Sequence, residues 1–212
     1  MRLDHVSYAA QPDGLRATAA RLGAALGVAP VDGGVHPRFG TRNMVLPLTQ
    51  GRYVEVVEVL DHPASDKAAF GQAVRARSAA GGGWVCWVVE VDDLAPFEER
   101  IGHDSVPGNR HRPDGVELRW RQIGVKGLVV DPQLPYMIRW DTPPELHPSA
   151  GGTPDVVLTG LEIAGDPQRV RKWLGLTPDY TSEDLDFEFV EPAGEPCLHK
   201  VTFKTPTGPV TL

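Results

Sequence analysis

The sequence predicts an α+β protein in which two β-α-β-β-β modules form curved mixed sheets around a cavity, followed by a third, partial module at the C-terminus. The segments that open and close each module are apolar and strand-like, and the same order of strands and one helix occurs twice. The spacing is also similar, because fifty residues separate His5 from Glu55 and fifty-three separate Cys86 from Arg139. Such a repeat predicts two similar units packed around a shared space.

The first module, residues 1–60, opens with an apolar strand that carries His5 and closes with one that carries Glu55. Between them, Leu15, Leu22 and Leu26 recur at helical spacing, and Gly27 is a typical residue for ending a helix. The expected elements are strand 3–9, helix 15–26 and strands at about 35–39, 43–48 and 53–60.

The second module, residues 83–142, repeats this order after a connection that contains a helix from Asp66 to about Ala80. Leu94, Phe97 and Ile101 indicate a short helix after the opening strand. The segment 103–115 is polar and rich in Pro and Gly, which favours a loop. The expected strands of this module are 84–91 and about 116–124, 127–131 and 135–141.

The remainder of the chain reads as a linker and a partial third module. Residues 1–142 are expected to form a domain of two modules, residues 143–154 the linker, and residues 155–212 the partial module. Strands are expected near 186–190, 198–205 and 208–212. When the turn that ends at Pro167 is aligned with the turn that ends at Pro12, Gly160 takes the position of His5. A glycine at that position indicates a structural role for the third module.

Composition excludes several classes of function. With 212 residues and a formal net charge of −7, the chain lacks the basic surface that nucleic-acid binding needs. No apolar run is long enough to cross a bilayer, and Met1-Arg2 leads directly into the first strand, so a cytoplasmic location is expected. Two cysteines do not form a disulfide framework, and no phosphate-binding loop, nucleophile elbow or Cys-x-x-Cys motif occurs.

Six short stretches of the sequence together point to a known family: Leu3-Asp4-His5-Val6, Gly40-Thr41-Arg42-Asn43, Tyr53-Val54-Glu55-Val56, Arg112-Pro113-Asp114-Gly115, Leu118-Arg119-Trp120-Arg121 and Pro135-Tyr136-Met137-Ile138-Arg139-Trp140-Asp141. They resemble the vicinal oxygen chelate superfamily, which comprises glyoxalase, bleomycin-resistance and extradiol-dioxygenase proteins. The similarity is to its glyoxalase-like branch, covers residues 3–142 well and the tail loosely, and implies the module fold described above.

The resemblance implies a divalent metal held by side chains from both modules. His5 and Glu55 match the ligand positions of the first module, but the second module offers Cys86 or a tryptophan on its opening strand and Arg139 on its closing strand. Two ligands rarely hold zinc, and a guanidinium repels a cation. We therefore expect no cofactor, with a divalent Zn, Ni, Fe or Mn ion as the alternative. Without a metal, His5 and Glu55 are expected to be an acid/base pair or a hydrogen-bonded pair.

The same positions suggest a binding site for a carboxylate. Arg139 is expected to face the cavity and, with Arg119 or Arg121 of the neighbouring strand, to hold the anion through bidentate hydrogen bonds. Alternation along the strand leaves open whether Arg121 or Trp120 points inward. Asn43 is a candidate hydrogen-bond donor, although turn or strand-edge chemistry also explains it. The histidines at 36, 62, 103, 111, 147 and 199 are interpreted as surface residues.

The sequence thus predicts a glyoxalase-like, small-molecule-binding protein. As an enzyme it would be a lyase, an isomerase or a dioxygenase acting on a small oxygenated, carboxylate-bearing compound. The alternative is a metal-free protein that sequesters an organic molecule, as bleomycin-resistance proteins do. The expected partner is a small-molecule ligand, without nucleic acid or membrane, and a homodimer is compatible with this fold.

Overall fold

The chain forms a closed eight-stranded barrel and a separate four-stranded sheet in the computed structural model, which describes residues 1–177 and 185–212. None of the helices in these residues has the length and apolar character needed to cross a membrane. The elements in chain order are β1 (Arg2–Ala9), α1 (Leu15–Leu26), β2 (Val31–His36), β3 (Thr41–Pro47), β4 (Tyr53–Val59), α2 (Pro63–Lys67), α3 (Ala69–Ala79), β5 (Gly83–Glu90), α4 (Ala95–Ile101), β6 (Val106–His111), β7 (Glu117–Ile123), α5 (Gly127–Val130), β8 (Tyr136–Trp140), β9 (Val157–Ala164), α6 (Pro167–Leu174), β10 (Asp186–Val190), β11 (Cys197–Thr205) and β12 (Gly208–Thr211).

The barrel consists of two halves, one from each module. Its strand order is β1-β4-β3-β2-β6-β7-β8-β5, so each module contributes four neighbouring strands. The modules meet along the antiparallel pair of β1 and β5, and again where β2 and β6 pair through Val35 and His111. In each module the opening and closing strands run parallel, as β1 with β4 and β5 with β8. The predicted fold class is therefore confirmed.

Two parts of the second module differ from the sequence prediction. The segment 103–115, predicted as a loop, contains β6, which pairs with β2 and β7. Its polar residues and Pro107 do not have the composition typical of a strand, and one of its two partners, β2, lies far away in sequence. The strand predicted at 127–131 is instead the short helix α5, which begins after the turn at Gly124. An apolar run this short does not distinguish a strand from a helical turn.

The connection between the modules contains two helices where one was predicted. α2 ends at Lys67 and α3 begins at Ala69, because Ala68 has an extended backbone, with φ −84 and ψ 130. The side chain of His62, not of Asp66, caps the first helix by accepting from the amide of Ala64. Phe70 and Val74 of α3 then pack against the barrel, and Phe70 reaches its interior.

The C-terminal sheet, with strand order β10-β9-β11-β12, packs against the outside of the barrel. Its buried residues Leu158, Leu161 and Phe203 belong to the same hydrophobic cluster as Trp87 of β5. The indole nitrogen of Trp84 also donates to the backbone oxygen of Leu212 at 2.9 Å. The division of the chain near residues 142 and 154 into separate domains stays a prediction.

Candidate active-site cavity

A narrow cavity inside the barrel lies between the two modules. The cavity volume that the centre of a water molecule can occupy is about 30 Å³. That space suits one or two waters or a comparably small chemical group. The lining side chains are His5, His36, Phe39, Tyr53 and Glu55 of module one, Phe70 of the connection, and Arg110, Trp120, Gln122, Val125, Tyr136, Ile138 and Trp140 of module two.

A β-bulge in β1 brings Asp4 and His5 together. Leu3 pairs with Val89 of β5 and His5 pairs with Val88, so Asp4 is an extra residue without a partner in the ladder. Consecutive strand residues normally point to opposite faces. At this bulge, Oδ2 of Asp4 lies only 2.6 Å from Nδ1 of His5. The carboxylate orients the imidazole so that its Nε2 faces the cavity.

Asp4 is fully buried and is held as an anion by two histidines. Nε2 of His147 lies 2.9 Å from Oδ1 of Asp4, and the indole nitrogen of Trp140 donates to the same oxygen at 3.2 Å. Burial raises the pKa of Asp4, but its hydrogen bonds with His147 and His5 outweigh burial and hold the pKa well below its ordinary value. The surface interpretation of His147 is wrong, because the segment that carries it folds back onto β1.

Glu55 lines the cavity, and each of its two carboxylate oxygens accepts a hydrogen bond. Ser7 Oγ donates to Oε2 at 2.7 Å, and Asn43 Nδ2 donates to Oε1 at 2.9 Å. Nε2 of His5 lies 4.0 Å from Oε2, so His5 stands between two carboxylates. Burial raises the pKa of Glu55, but the charges of His36 and His5 and the hydrogen bond from Ser7 outweigh burial and lower it. Glu55 is therefore ionised at neutral pH.

His36 is a second cavity histidine that the sequence interpretation placed on the surface. It is buried, its Nε2 lies 3.6 Å from Oε1 of Glu55, and its Nδ1 lies 3.0 Å from Oγ1 of Thr41. Burial lowers the pKa of His36 to about 4, so the ring is neutral at pH 7. The surface interpretation is wrong because β2 ends at His36, with its side chain inside the barrel, and does not run over 35–39.

Arg110 lies on β6, in the segment predicted as a loop, and among the residues that the structure describes it is the one arginine or lysine that lines the cavity. It is buried, yet within the described residues its guanidinium forms no hydrogen bond and no ion pair, and its Nε is buried without a partner. Burial lowers the pKa of Arg110, and the nearby Tyr53 and Glu55 oppose that shift. No local sequence signal marks this residue, because its place depends on the pairing of β6.

The other predicted binding residues lie on both sides of the barrel wall. Trp120 lines the cavity, and its indole nitrogen donates to Gln122 at 2.6 Å. Arg121 points outward and donates to Oγ of Ser105. Arg139 also points outward and pairs with Asp141 at 2.9 Å. The expectation that Arg139 and Arg121 face the cavity is therefore wrong, because alternation turns Ile138 and Trp120 inward in their place.

The residues present do not fit a metal of the kind that the resemblance implies. The cavity side chains of module two include no carboxylate, imidazole or thiol, and Arg110 would repel a cation. The donor atoms of His5, His36 and Glu55 do not all lie within 4.8 Å of one another; among the described residues only Asp4, Glu90 and His147 meet that distance. In that group, Arg2 already pairs with Glu90. Cys86, named as a further ligand, is not among the residues that line the cavity, and burial raises the pKa of its thiol.

Comparison with known proteins gives the family. Residues 3–177 match the model of the glyoxalase-like domain. No curated protein sequence matches the chain. A hypothetical protein from Staphylococcus aureus has a similar structure, with a TM-score of 0.71, 14% identity and coverage of 96% of this chain and 91% of that one. A methylmalonyl-CoA epimerase from Mycobacterium tuberculosis is similar over 68% of this chain and 90% of its own, with a TM-score of 0.46 and 18% identity.

Proposed function

The chain belongs to the glyoxalase-like domain family, and we propose that its barrel cavity is the active site of an isomerase or lyase that transfers a proton on a small oxygenated compound. The observation that carries the proposal is the contact between Asp4 and His5, whose ring lines a cavity with aromatic walls. A carboxylate that fixes the orientation of an imidazole is a recurrent arrangement for a general base.

His5 is the base in this proposal, and its Nε2 accepts a proton from carbon. The donor that fixes its orientation is Nδ1, which points to Asp4. When Nε2 is protonated, the imidazolium lies between the carboxylates of Asp4 and Glu55, which stabilise its charge. The ring of Tyr53 stacks on the imidazole with centroids 4.4 Å apart and limits its rotation.

Tyr136 supplies a donor for the oxygen on which negative charge develops when the proton leaves carbon. Its ring lies edge-on to His5 with centroids 6.3 Å apart, on the module-two side of the cavity. Burial raises the pKa of Tyr136 well above 10, so its hydroxyl remains protonated. Among the described residues this hydroxyl has no hydrogen-bond partner in the protein, which leaves it available to a substrate oxygen.

The test is hydrogen–deuterium exchange at carbon. In D₂O, proton NMR would follow exchange at the carbon next to the carbonyl of 2-oxobutyrate and of dihydroxyacetone, with and without the protein. The wild-type protein should accelerate exchange of at least one probe, and His5→Gln should abolish the acceleration. The variant Arg139→Gln, outside the barrel, is the control and should exchange like the wild type. No acceleration of either probe would contradict the proposal.

The cavity also supports a second candidate, a binding protein without catalysis. The observation that favours it is the asymmetry of the lining, because module two contributes mainly aromatic and apolar walls to the cavity. Such a protein would bind a small ligand equally well as the wild type and as the variant His5→Gln. It would not catalyse exchange of the ligand's carbon-bound protons. Binding and exchange measured on the same ligand therefore separate the two functions.

Other expectations from the sequence stay predictions. They are the cytoplasmic location, a small-molecule partner without nucleic acid or membrane, the homodimer, and the absence of a cofactor. Metal analysis of the untagged, purified protein tests the last of these, and one divalent ion per chain bound through His5 and Glu55 would contradict it.

A further inference from the structure

We infer that Arg110 is the receptor for a carboxylate group of the ligand, which makes the ligand an organic acid. The inference names the ligand class of the same cavity and rests on the proposed function for the cavity's role. It is carried by the position of the guanidinium, which lines the cavity, is buried, and has no hydrogen-bond or ion-pair partner in the part of the chain that the structure describes.

A buried guanidinium without a hydrogen-bond or ion-pair partner lowers the stability of the folded protein, so its presence calls for an explanation. Removing an ion from water costs several kcal/mol unless a counter-ion and hydrogen bonds compensate. The other buried charges here are compensated: Asp4 contacts two histidines, and Glu55 accepts from Ser7 and Asn43. Arg110 is the exception. The bound anion would be the counter-ion that the protein itself does not provide.

The charges around Arg110 leave that position open to an anion. Glu55 is more than an ion-pair distance away from the guanidinium, since no contact within 4.0 Å joins them, and its two oxygens already accept hydrogen bonds. His36 is neutral at pH 7 because burial lowers its pKa to about 4. A ligand anion would therefore sit on the module-two side of the cavity, away from Glu55.

The shape and walls of the cavity favour a carboxylate on an apolar body. The guanidinium is planar and presents parallel donors that match a carboxylate. The open space corresponds to one or two waters, which suits this small planar group. Phe39, Phe70 and Trp120 line the same cavity, where Phe39 contacts both other rings, and they would contact the hydrocarbon part of the ligand.

The experiment measures binding of benzoate, of the neutral analogue benzamide, and of inorganic phosphate by isothermal titration calorimetry. The wild type should bind benzoate at least tenfold more tightly than benzamide or phosphate. Arg110→Gln should weaken benzoate binding at least tenfold and leave benzamide binding unchanged. The matched control is Arg139→Gln, an exposed arginine of the same module, which should bind benzoate like the wild type.

Folding of the variant provides a second measurement. Because Arg110 has no partner, Arg110→Gln should melt at the same temperature as the wild type or higher. A melting temperature several degrees lower would show a structural role and overturn the inference. So would equal binding of benzoate and benzamide, tighter binding of phosphate, no binding of benzoate, or benzoate binding that Arg110→Gln leaves intact.

These measurements separate the inference from the proposed function. His5→Gln, which cannot accept the proton, should bind benzoate as the wild type does. A protein that binds benzoate through Arg110 but exchanges no protons would contradict only the proposed function. A protein that exchanges dihydroxyacetone but does not bind benzoate would contradict only the inference.

Discussion

The two modules have the same order of elements but line the cavity with different chemistry. In each, a tyrosine begins the closing strand, Tyr53 in β4 and Tyr136 in β8. Two residues later, module one has Glu55 and module two has Ile138, and both side chains face the cavity. Both modules contribute a phenol and aromatic rings, but two imidazoles and a carboxylate come only from module one and the guanidinium only from module two. A backbone repeat therefore need not repeat the chemistry.

The prediction that Arg139 is the counterpart of Glu55 in module two is wrong because of the geometry of a β-strand. The sequence repeat aligns the closing strands only to within a residue, and the side-chain period of a strand is two. A shift of one residue exchanges the inner face for the outer one. Arg139 therefore points to solvent, where its pair with Asp141 leaves both side chains 42% exposed.

The largest expected effect comes from the pair Asp4 and His5, which has no counterpart in module two. Asp4→Asn keeps the shape of the side chain but removes the charge that orients His5 and stabilises its protonated form. Exchange activity should fall about 10³-fold, as followed by NMR in D₂O. Asp141→Asn, which removes a carboxylate outside the barrel, should leave the rate unchanged. Equal rates for the two variants would contradict the role of Asp4.

The next effect concerns stability and compares the polar contacts of the two modules. Asn43→Leu removes a hydrogen bond to the Glu55 carboxylate, so the free energy of unfolding should fall by about 2 to 3 kcal/mol. Gln122→Leu removes a neutral hydrogen bond from the Trp120 indole and should cost about 1 kcal/mol. Urea unfolding at pH 7 measures both. If Gln122→Leu lost more unfolding free energy than Asn43→Leu, the charge of Glu55 would not explain the difference between the two hydrogen bonds.

His36 should make the stability of the protein depend on pH. Burial lowers its pKa from 6.5 to about 4, so between these values the unfolded chain binds more protons than the folded one. This contribution is complete above pH 6.5 and is lost as the pH falls toward 4. From pH 7.5 to pH 5 the wild type should lose about 2 kcal/mol more than His36→Gln. Urea unfolding at both values tests this, and equal losses would contradict a neutral buried His36.

The smallest effect is expected outside the barrel of module two. Arg139→Gln breaks the exposed ion pair with Asp141, which should change the free energy of unfolding by less than about 1 kcal/mol. The change should shrink further in high salt. Urea unfolding at low and high salt measures this change. A loss of several kcal/mol in unfolding free energy would mean that Arg139 stabilises the protein by more than its pair with Asp141.

The sequence by itself determined the paired modules and the first two site residues. His5 and Glu55 lie on two different apolar strands, and the resemblance to the vicinal oxygen chelate superfamily implied that both face the cavity, because alternation along one strand does not relate it to another. Asn43 does not line the cavity itself but donates a hydrogen bond to Glu55, which does. Trp120 lines the cavity, but the sequence alone left the choice between Trp120 and Arg121 open, because that choice depends on how β7 pairs with its neighbours. Local pattern decides which residues share a face, and not which face points inward.

The other groups in and around the cavity could be identified only from the tertiary structure. Arg110 and His36 reach the cavity because β2 and β6 meet across the module boundary, a pairing between segments about 75 residues apart. Asp4 turns toward His5 because of a bulge against β5, and His147 reaches Asp4 across 143 residues of chain. These contacts form between distant parts of the chain, and the energy that fixes them comes from burial and hydrogen bonding in the folded barrel, which no local stretch of sequence encodes.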